Sequence, residues 1–205
     1  VWRVNPAVAH GVVDGNEDYL QRHVLHYVKA LTQRGKYPLL IWPYHAMLGG
    51  IGHALVSAVE EALFFHAIAR KSQTQFEMKG NNPLTEHYSV LHPEVMHGPD
   101  GKQIAEKNAP FIEKLLEFDA VIIAGQAKSH CVAWTIHDLL TEVNAQDPSL
   151  VEKVYLLEDC TSPVVVQGVV DFSDQADEAF ERFAEAGMHV VRSREPIGEW
   201  PGMDL

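Results

Sequence analysis

A chain of 205 residues can bury a sizeable core and still fold as one unit, so we read residues 1–205 as a single domain. Lys and Arg number 16 against 28 Asp and Glu, a formal net charge of −12, which argues against nucleic acid or an anionic membrane surface as a partner. No apolar run is long enough to span a membrane and no signal peptide is recognisable. The two cysteines, Cys131 and Cys160, make no disulfide framework, so a reducing, cytoplasmic setting is expected.

Residues 1–16 carry Pro6, Gly11 and Gly15 with little periodicity and read as a loop. Asn16 is placed to cap a helix with Glu17 and Asp18 in its acidic first turn. Leu20, Val24, Val28 and Leu31 mark its apolar face, His23 and Tyr27 fall on the wet side, and Gly35 suits its stop. Tyr37–Trp42 reads as a short strand. It leads through Pro43-Tyr44-His45 to glycines 49, 50 and 52, whose spacing lacks the third glycine of a dinucleotide-binding turn. Residues 52–71 predict a helix with Leu55, Val59, Leu63, Phe65 and Ile68 on a broad apolar face. Phe64 and Phe65 fit core packing or a subunit contact. Residues 73–79 alternate imperfectly and read as a strand ending at Lys79.

Residues 90–101 read as a surface loop, and Lys102 to Glu117 as amphipathic with Ile104, Phe111, Ile112, Leu115 and Leu116 inward, Pro110 marking a new helix start. Val121-Ile122-Ile123-Ala124 predicts a strand buried on both faces. After a short turn, Val132, Ile136, Leu139 and Leu140 recur at helical spacing up to Asp147-Pro148. That places Cys131 in the first helical turn, where free N–H groups favour a thiolate, at the carboxyl end of a parallel strand. A nucleophile and a small buried core residue are both consistent with this position. Residues 153–159 predict the next strand, with 160–163 as its turn. Asp159 at the strand end fits an acid–base group or, more usually, a turn and cap residue, and Cys160 reads as structural. Residues 164–166 are left unassigned. Ser173 caps a predicted helix over 174–186, with Ala176, Ala179, Phe180 and Phe183 packed and Gly187 ending it, and His189-Val190-Val191 forms a last strand. Strands alternating with helices predict an α/β, three-layer, mostly parallel sheet with helices on both faces.

The stretch Gly125-Gln126-Ala127-Lys128-Ser129-His130-Cys131-Val132 resembles the nucleophile loop of the nicotinamidase/isochorismatase superfamily of cysteine hydrolases. Two further segments resemble it as well: Trp42-Pro43-Tyr44-His45, and Lys79 followed by Gly80-Asn81-Asn82-Pro83-Leu84-Thr85-Glu86-His87-Tyr88-Ser89. The second is closest to the nicotinamidase-like branch. The resemblance covers residues 37 to about 198 and implies the isochorismatase-like hydrolase fold.

It also implies roles. Cys131 would be the nucleophile and Lys79 its companion in an Asp-Lys-Cys triad. The N–H groups of Ala127 and Cys131 would form an oxyanion hole, turned inward by a cis Gln126–Ala127 bond. Trp42 would wall the substrate pocket. His45 would bind a divalent metal, zinc in the first instance, and Asn82 and Glu86 would support Lys79 beside the thiol. The implied reaction is hydrolysis of a small amide through a thioester. Cleavage of an enol ether in an isochorismate-like substrate, or a non-catalytic binding or assembly protein keeping the fold, are the alternatives. A small-molecule substrate and a homo-oligomer are the expected partners. The superfamily's acid–base aspartate closes its first strand, and no such strand precedes residue 37. Asp14 is the sole early aspartate in a turn-like setting. The chain opens Val1-Trp2-Arg3 without methionine, and we expect the natural protein to extend upstream and supply the missing strands.

Overall fold

A computed structural model describes residues 2–34 and 37–203. In chain order its elements are α1 (Pro6–Val13), α2 (Glu17–Gln33), α3 (Ser57–Arg70), α4 (Ala109–Leu116), β1 (Val121–Gln126), a π-type turn (Lys128–Val132), α5 (Ala133–Gln146), a 3-10 segment (Pro148–Lys153), β2 (Val154–Ser162), β3 (Val165–Val166), β4 (Val170–Asp171), α6 (Ser173–Glu185), β5 (His189–Val191) and a second 3-10 turn (Ile197–Glu199). By contacts the chain divides into two compact units: residues up to Tyr27 together with those from Lys79 onward, and Val28–Met78.

The larger unit is built on a parallel sheet of order β1-β2-β5. Val121, Ile122 and Ile123 stand opposite Val154, Tyr155 and Leu156. The register then shifts, so that Gly125 meets Thr161 and Gln126 meets Ser162. Tyr155, Leu156 and Leu157 pair in turn with His189, Val190 and Val191 of β5. Side chains alternate across a strand, and β2 shows it: Val154 and Leu156 enter a core with Ile112 of α4, Ile136, Leu139 and Val143 of α5, and Ala179, Phe180 and Phe183 of α6. Tyr155 and Leu157 face the other way, onto Trp200, Val191 and Met203. The Tyr155 hydroxyl fastens that tail by donating to the Pro201 carbonyl at 2.8 Å. The parallel α/β arrangement is the one the sequence predicts.

Several elements differ from expectation. β1 is buried on one face, not two: Ile123 packs against the core while Ile122 is 44% exposed. As the end strand of its sheet it meets β2 alone among the described residues. Residues 6–13 form a helix where a loop was expected, because the Asn5 side chain accepts the Ala7 N–H at 2.9 Å and Pro6 sits in the first turn, where its missing N–H costs nothing. β2 runs on through Cys160 to Ser162, drawn along the end of β1. Residues 164–166, unassigned from sequence, begin a hairpin in which Val165 and Val166 pair with Asp171 and Val170. Ser173 is the first residue of α6 and not its cap; the Asp171 carboxylate accepts its N–H at 2.9 Å, and hydrogen bonding from the Ser173 side chain and then from that N–H holds the Asp171 carboxyl below the usual range. The stop at Gly187, with φ of +106°, is as expected.

Asn16 caps α2 by accepting the Tyr19 N–H at 2.9 Å, as predicted. The buried stripe of that helix is wetter than expected, however. His23 and Tyr27 are buried beside Leu20 and Leu31 because the 84–86 loop offers them partners. His23 Nε2 lies 2.7 Å from the Leu84 carbonyl, and the Tyr27 hydroxyl donates to the Glu86 carboxylate at 2.9 Å while accepting the Glu86 N–H at 3.1 Å. Burial pushes the Tyr27 phenol well up. Gly35, the expected stop of α2, lies outside the described residues.

Neither 37–42 nor 73–79 forms a strand. Pro38 and Pro43 remove ladder donors from the first, and Ile41, Phe76 and Met78 are exposed. Residues 50–54 are held in successive turns, so α3 starts at Ser57. None of its residues is buried, and Val59, Phe64, Phe65 and Ile68 are exposed where a packed face was expected. Among the described residues no helix is long and apolar enough to cross a membrane.

Candidate active site

The site is built where β1 stops. The Gln126–Ala127 peptide is cis, as the resemblance implies. The next five residues make one wide turn in which the Ala127 carbonyl accepts the N–H groups of His130, at 3.0 Å, and Val132, at 3.1 Å. The donor lying between them, Cys131, is passed over. Turns of this width are uncommon and recur at functional sites. Cys131 therefore sits just ahead of α5 and not within its first α-helical turn. Lys128, Ser129, His130 and Val132 are all buried; Cys131 alone of the turn is not. Four of the five residues of the turn are buried, and Cys131 keeps partial exposure.

Each buried neighbour is held by a different element. The Ser129 hydroxyl accepts the Val164 N–H at 3.0 Å and lies 2.8 Å from His130 Nδ1. A hydroxyl that accepts a backbone N–H can also donate its own hydrogen, here toward the imidazole. The His130 ring meets Phe172 edge-on at 4.7 Å between centroids and Tyr88 at 5.6 Å. Lys128 reaches Asp177 of α6. At the root of the turn the Ser162 hydroxyl donates to the Gln126 side-chain carbonyl at 3.0 Å.

Burial holds the His130 imidazole below its ordinary value of 6.5. The unfolded chain, with the ordinary value, then takes up the proton first. Stability contributed here is complete above the unfolded value and is lost as pH falls below it, until the folded value is passed. His87 is shifted the same way, by burial and then by Lys79. Melting temperature is thus expected to fall as pH drops through the histidine range, and His130→Asn should flatten that fall in part, leaving the His87 share. A melting series against pH for both proteins checks this; identical slopes would count against a buried neutral His130.

Lys79 does not end a strand. Its exposed side chain donates to the carbonyls of His87, at 3.0 Å, and Tyr88, at 2.6 Å. Tyr88 packs on His130, so Lys79 is tied to the loop that abuts the cysteine's neighbour. Asn82 and Glu86 organise the same loop: Asn82 donates to the Ile104 carbonyl at 2.8 Å and accepts the Leu84 N–H at 2.9 Å, while Glu86 takes the Tyr27 hydroxyl. Asp14 is exposed and adopts a left-handed conformation, with φ of 52°, at the end of α1. Asp159 binds Ser193 through the backbone N–H at 2.9 Å and the hydroxyl at 2.8 Å. Those bonds hold its carboxyl below the usual range. Cys160 is exposed on β2.

Trp42 and His45 belong to the smaller unit. His45 is exposed, with Nδ1 2.7 Å from the Pro43 carbonyl two residues back. Among the described residues no three His, Cys, Asp or Glu side chains are grouped to hold a metal ion. A metal needs several such donors converging, so the residues described do not fit a zinc site. Sequence reasoning passed over Lys128, Ser129, His130, Phe172 and Asp177. A lysine, a serine and a histidine in succession ahead of the cysteine were visible, but not which way they point.

A parallel sheet, helices packed on it, and a cysteine-bearing turn at the carboxyl end of one strand define an α/β protein with its site where such sheets carry theirs. No family model and no curated protein matches the sequence. Solved structures do match. The yeast nicotinamidase bound to the inhibitor nicotinaldehyde is 20% identical, with a TM-score of 0.50 over 77% of this chain and 61% of that one. An Acinetobacter baumanii nicotinamidase is 16% identical, with a TM-score of 0.43 over 75% of this chain and 60% of that one. The pyrazinamidase of Pyrococcus horikoshii in complex with zinc is 16% identical, with a TM-score of 0.44 over 88% of each. The chain shares its fold with the yeast nicotinamidase, and it spans about 60% of the length of the yeast and Acinetobacter enzymes.

Proposed function

We propose that the chain is a cysteine hydrolase that cleaves a small amide such as nicotinamide through Cys131. The observation that carries this is the turn itself: five residues at a strand end, four of them buried and Cys131 partly exposed. Fold likeness to nicotinamidases supports the substrate class. The Cys131 sulfur attacks the amide carbonyl, the C–N bond breaks, and ammonia leaves with the thiol proton. Water then cleaves the thioester, releasing the acid and restoring the thiol. Charge that builds on the carbonyl oxygen needs fixed donors. The N–H of Cys131 is the candidate, since Ala127's carbonyl takes its neighbours instead, and the N–H of Ala127 would be the second. Lys79 would serve by fixing the 87–88 backbone against His130. Trp42 and His45 take no step in this mechanism, and no residue is assigned the acid–base role. The exposed apolar residues of α3 support the expected self-association.

The test is ammonia release from nicotinamide by the purified protein. Release that stops when iodoacetamide modifies Cys131 is expected. An inert thiol with no release would leave a binding or assembly protein, and enol-ether cleavage without ammonia would favour the isochorismatase-type alternative.

A further inference from the structure

The Lys128 side chain is 7% exposed, whereas its partner Asp177 is 66% exposed, with 2.6 Å between Nζ and the carboxylate. The cation is inside and the anion outside, the reverse of the habit of lysine, whose head normally seeks water. A buried ammonium is costly unless paired. Here a second support is present, the face of the Phe180 ring, 4.5 Å from Nζ to centroid. Asp177 and Phe180 lie three apart on α6 and so on one side of that helix.

Resting on the hydrolase reading above, we propose that Lys128 is a positioning residue: its buried ammonium fastens the start of the nucleophile turn to α6 and thereby sets where the Cys131 sulfur points. Lys128 is three residues ahead of Cys131. Ser129 is pinned to Val164 and His130 is wedged between Phe172 and Tyr88, so the three residues that lead into Cys131 are each held by a different part of the chain. Of these anchors Lys128 alone binds the turn to a helix by charge. Withdrawing it lets the turn rotate, and a misplaced nucleophile loses rate before it loses substrate affinity. Arginine keeps charge, reach and ring contact; methionine keeps only the apolar stem.

The experiment uses the full chain carrying Cys160→Ser, so that Cys131 is the one thiol. Ammonia release from nicotinamide gives kcat and KM, iodoacetamide gives the alkylation rate of Cys131 across its titration, and melting reports the fold. Lys128→Met is expected to lower kcat by about 10- to 100-fold with KM held within about twofold, and to slow alkylation in parallel. Lys128→Arg should restore most of both. A Lys128→Met protein with unchanged kcat and alkylation overturns the proposal, as do equal losses in the methionine and arginine variants. If Lys128→Met does not fold, Asp177→Asn decides: reduced kcat at constant KM supports the clamp and an unchanged kcat overturns it. A parent that releases no ammonia and carries an inert thiol removes the hydrolase reading and this role with it. An active parent with an unaffected Lys128→Met removes the positioning role alone.

Discussion

Cys131→Ala is expected to abolish amide cleavage, a loss of at least about 10³-fold in kcat, with the fold intact. The physical grounds are local. Cys131 is half-buried and makes no hydrogen bond on which the turn depends; the turn is closed by Ala127, His130 and Val132 and anchored by Lys128 and Ser129. Deleting one sulfur from a partly open position costs little packing, within about 0.5 kcal/mol of stability. What disappears is the atom that splits one hard displacement into two easier ones. Cys160→Ser is the matched control: the second thiol is exposed on β2, with its sulfur 3.9 Å from an Asp159 oxygen, and should keep full rate. Ammonia release and thermal melting of the two variants check both halves. Ammonia release by the alanine protein at the parental rate would place the chemistry elsewhere.

The segment from β1 to α5 was legible because its signals are local. Four apolar residues, a glycine and a helical repeat follow one another from Val121, and the Asp147-Pro148 pair ends them. The buried set of α6 could be read for the same reason: Ala176, Ala179, Phe180 and Phe183 lie on one stripe, and all four are buried. What escaped was whatever depends on a distant partner. An alternating or apolar run becomes a strand when a neighbouring strand pairs with it, and among the described residues 37–42 and 73–79 belong to no sheet. His23 and Tyr27 have polar tips and were assigned to water, yet the loop at 84–86 satisfies those tips and lets the rings be buried. The β3–β4 hairpin has two residues per strand, too few for any period to show. At the site, the cysteine could be named, but the direction of its neighbours could not. The partner of Lys128 is 49 residues away, and nothing in a local window couples the two.

Phe183→Ala should be the most damaging core substitution on α6, about 3–5 kcal/mol. At 2% exposure the ring is fully enclosed, sharing its core with Ile136, Leu139 and Val143 of α5, Leu156 of β2 and the neighbouring ring of Phe180, 6.2 Å away between centroids. The loss exceeds the ring's transfer term because the void cannot collapse. α5 is pinned ahead of its start by the nucleophile turn and β2 is paired on both edges, so neither can move in. In a chain of this size each lost kcal/mol lowers the melting temperature by about 2–4 °C. A second consequence follows from the same helix carrying Asp177 and Phe180, which hold Lys128. As α6 loosens, the clamp on the turn loosens with it, so alkylation of Cys131 should change at temperatures where far-ultraviolet circular dichroism still reports a folded protein. Phe183→Leu, which refills most of the void, should recover much of the melting temperature and the parental alkylation rate. A melting temperature unmoved by Phe183→Ala would mean that α6 is not packed on the sheet through this ring. A large drop in melting temperature with alkylation unchanged below it would mean that the helix supports the fold without steering the thiol.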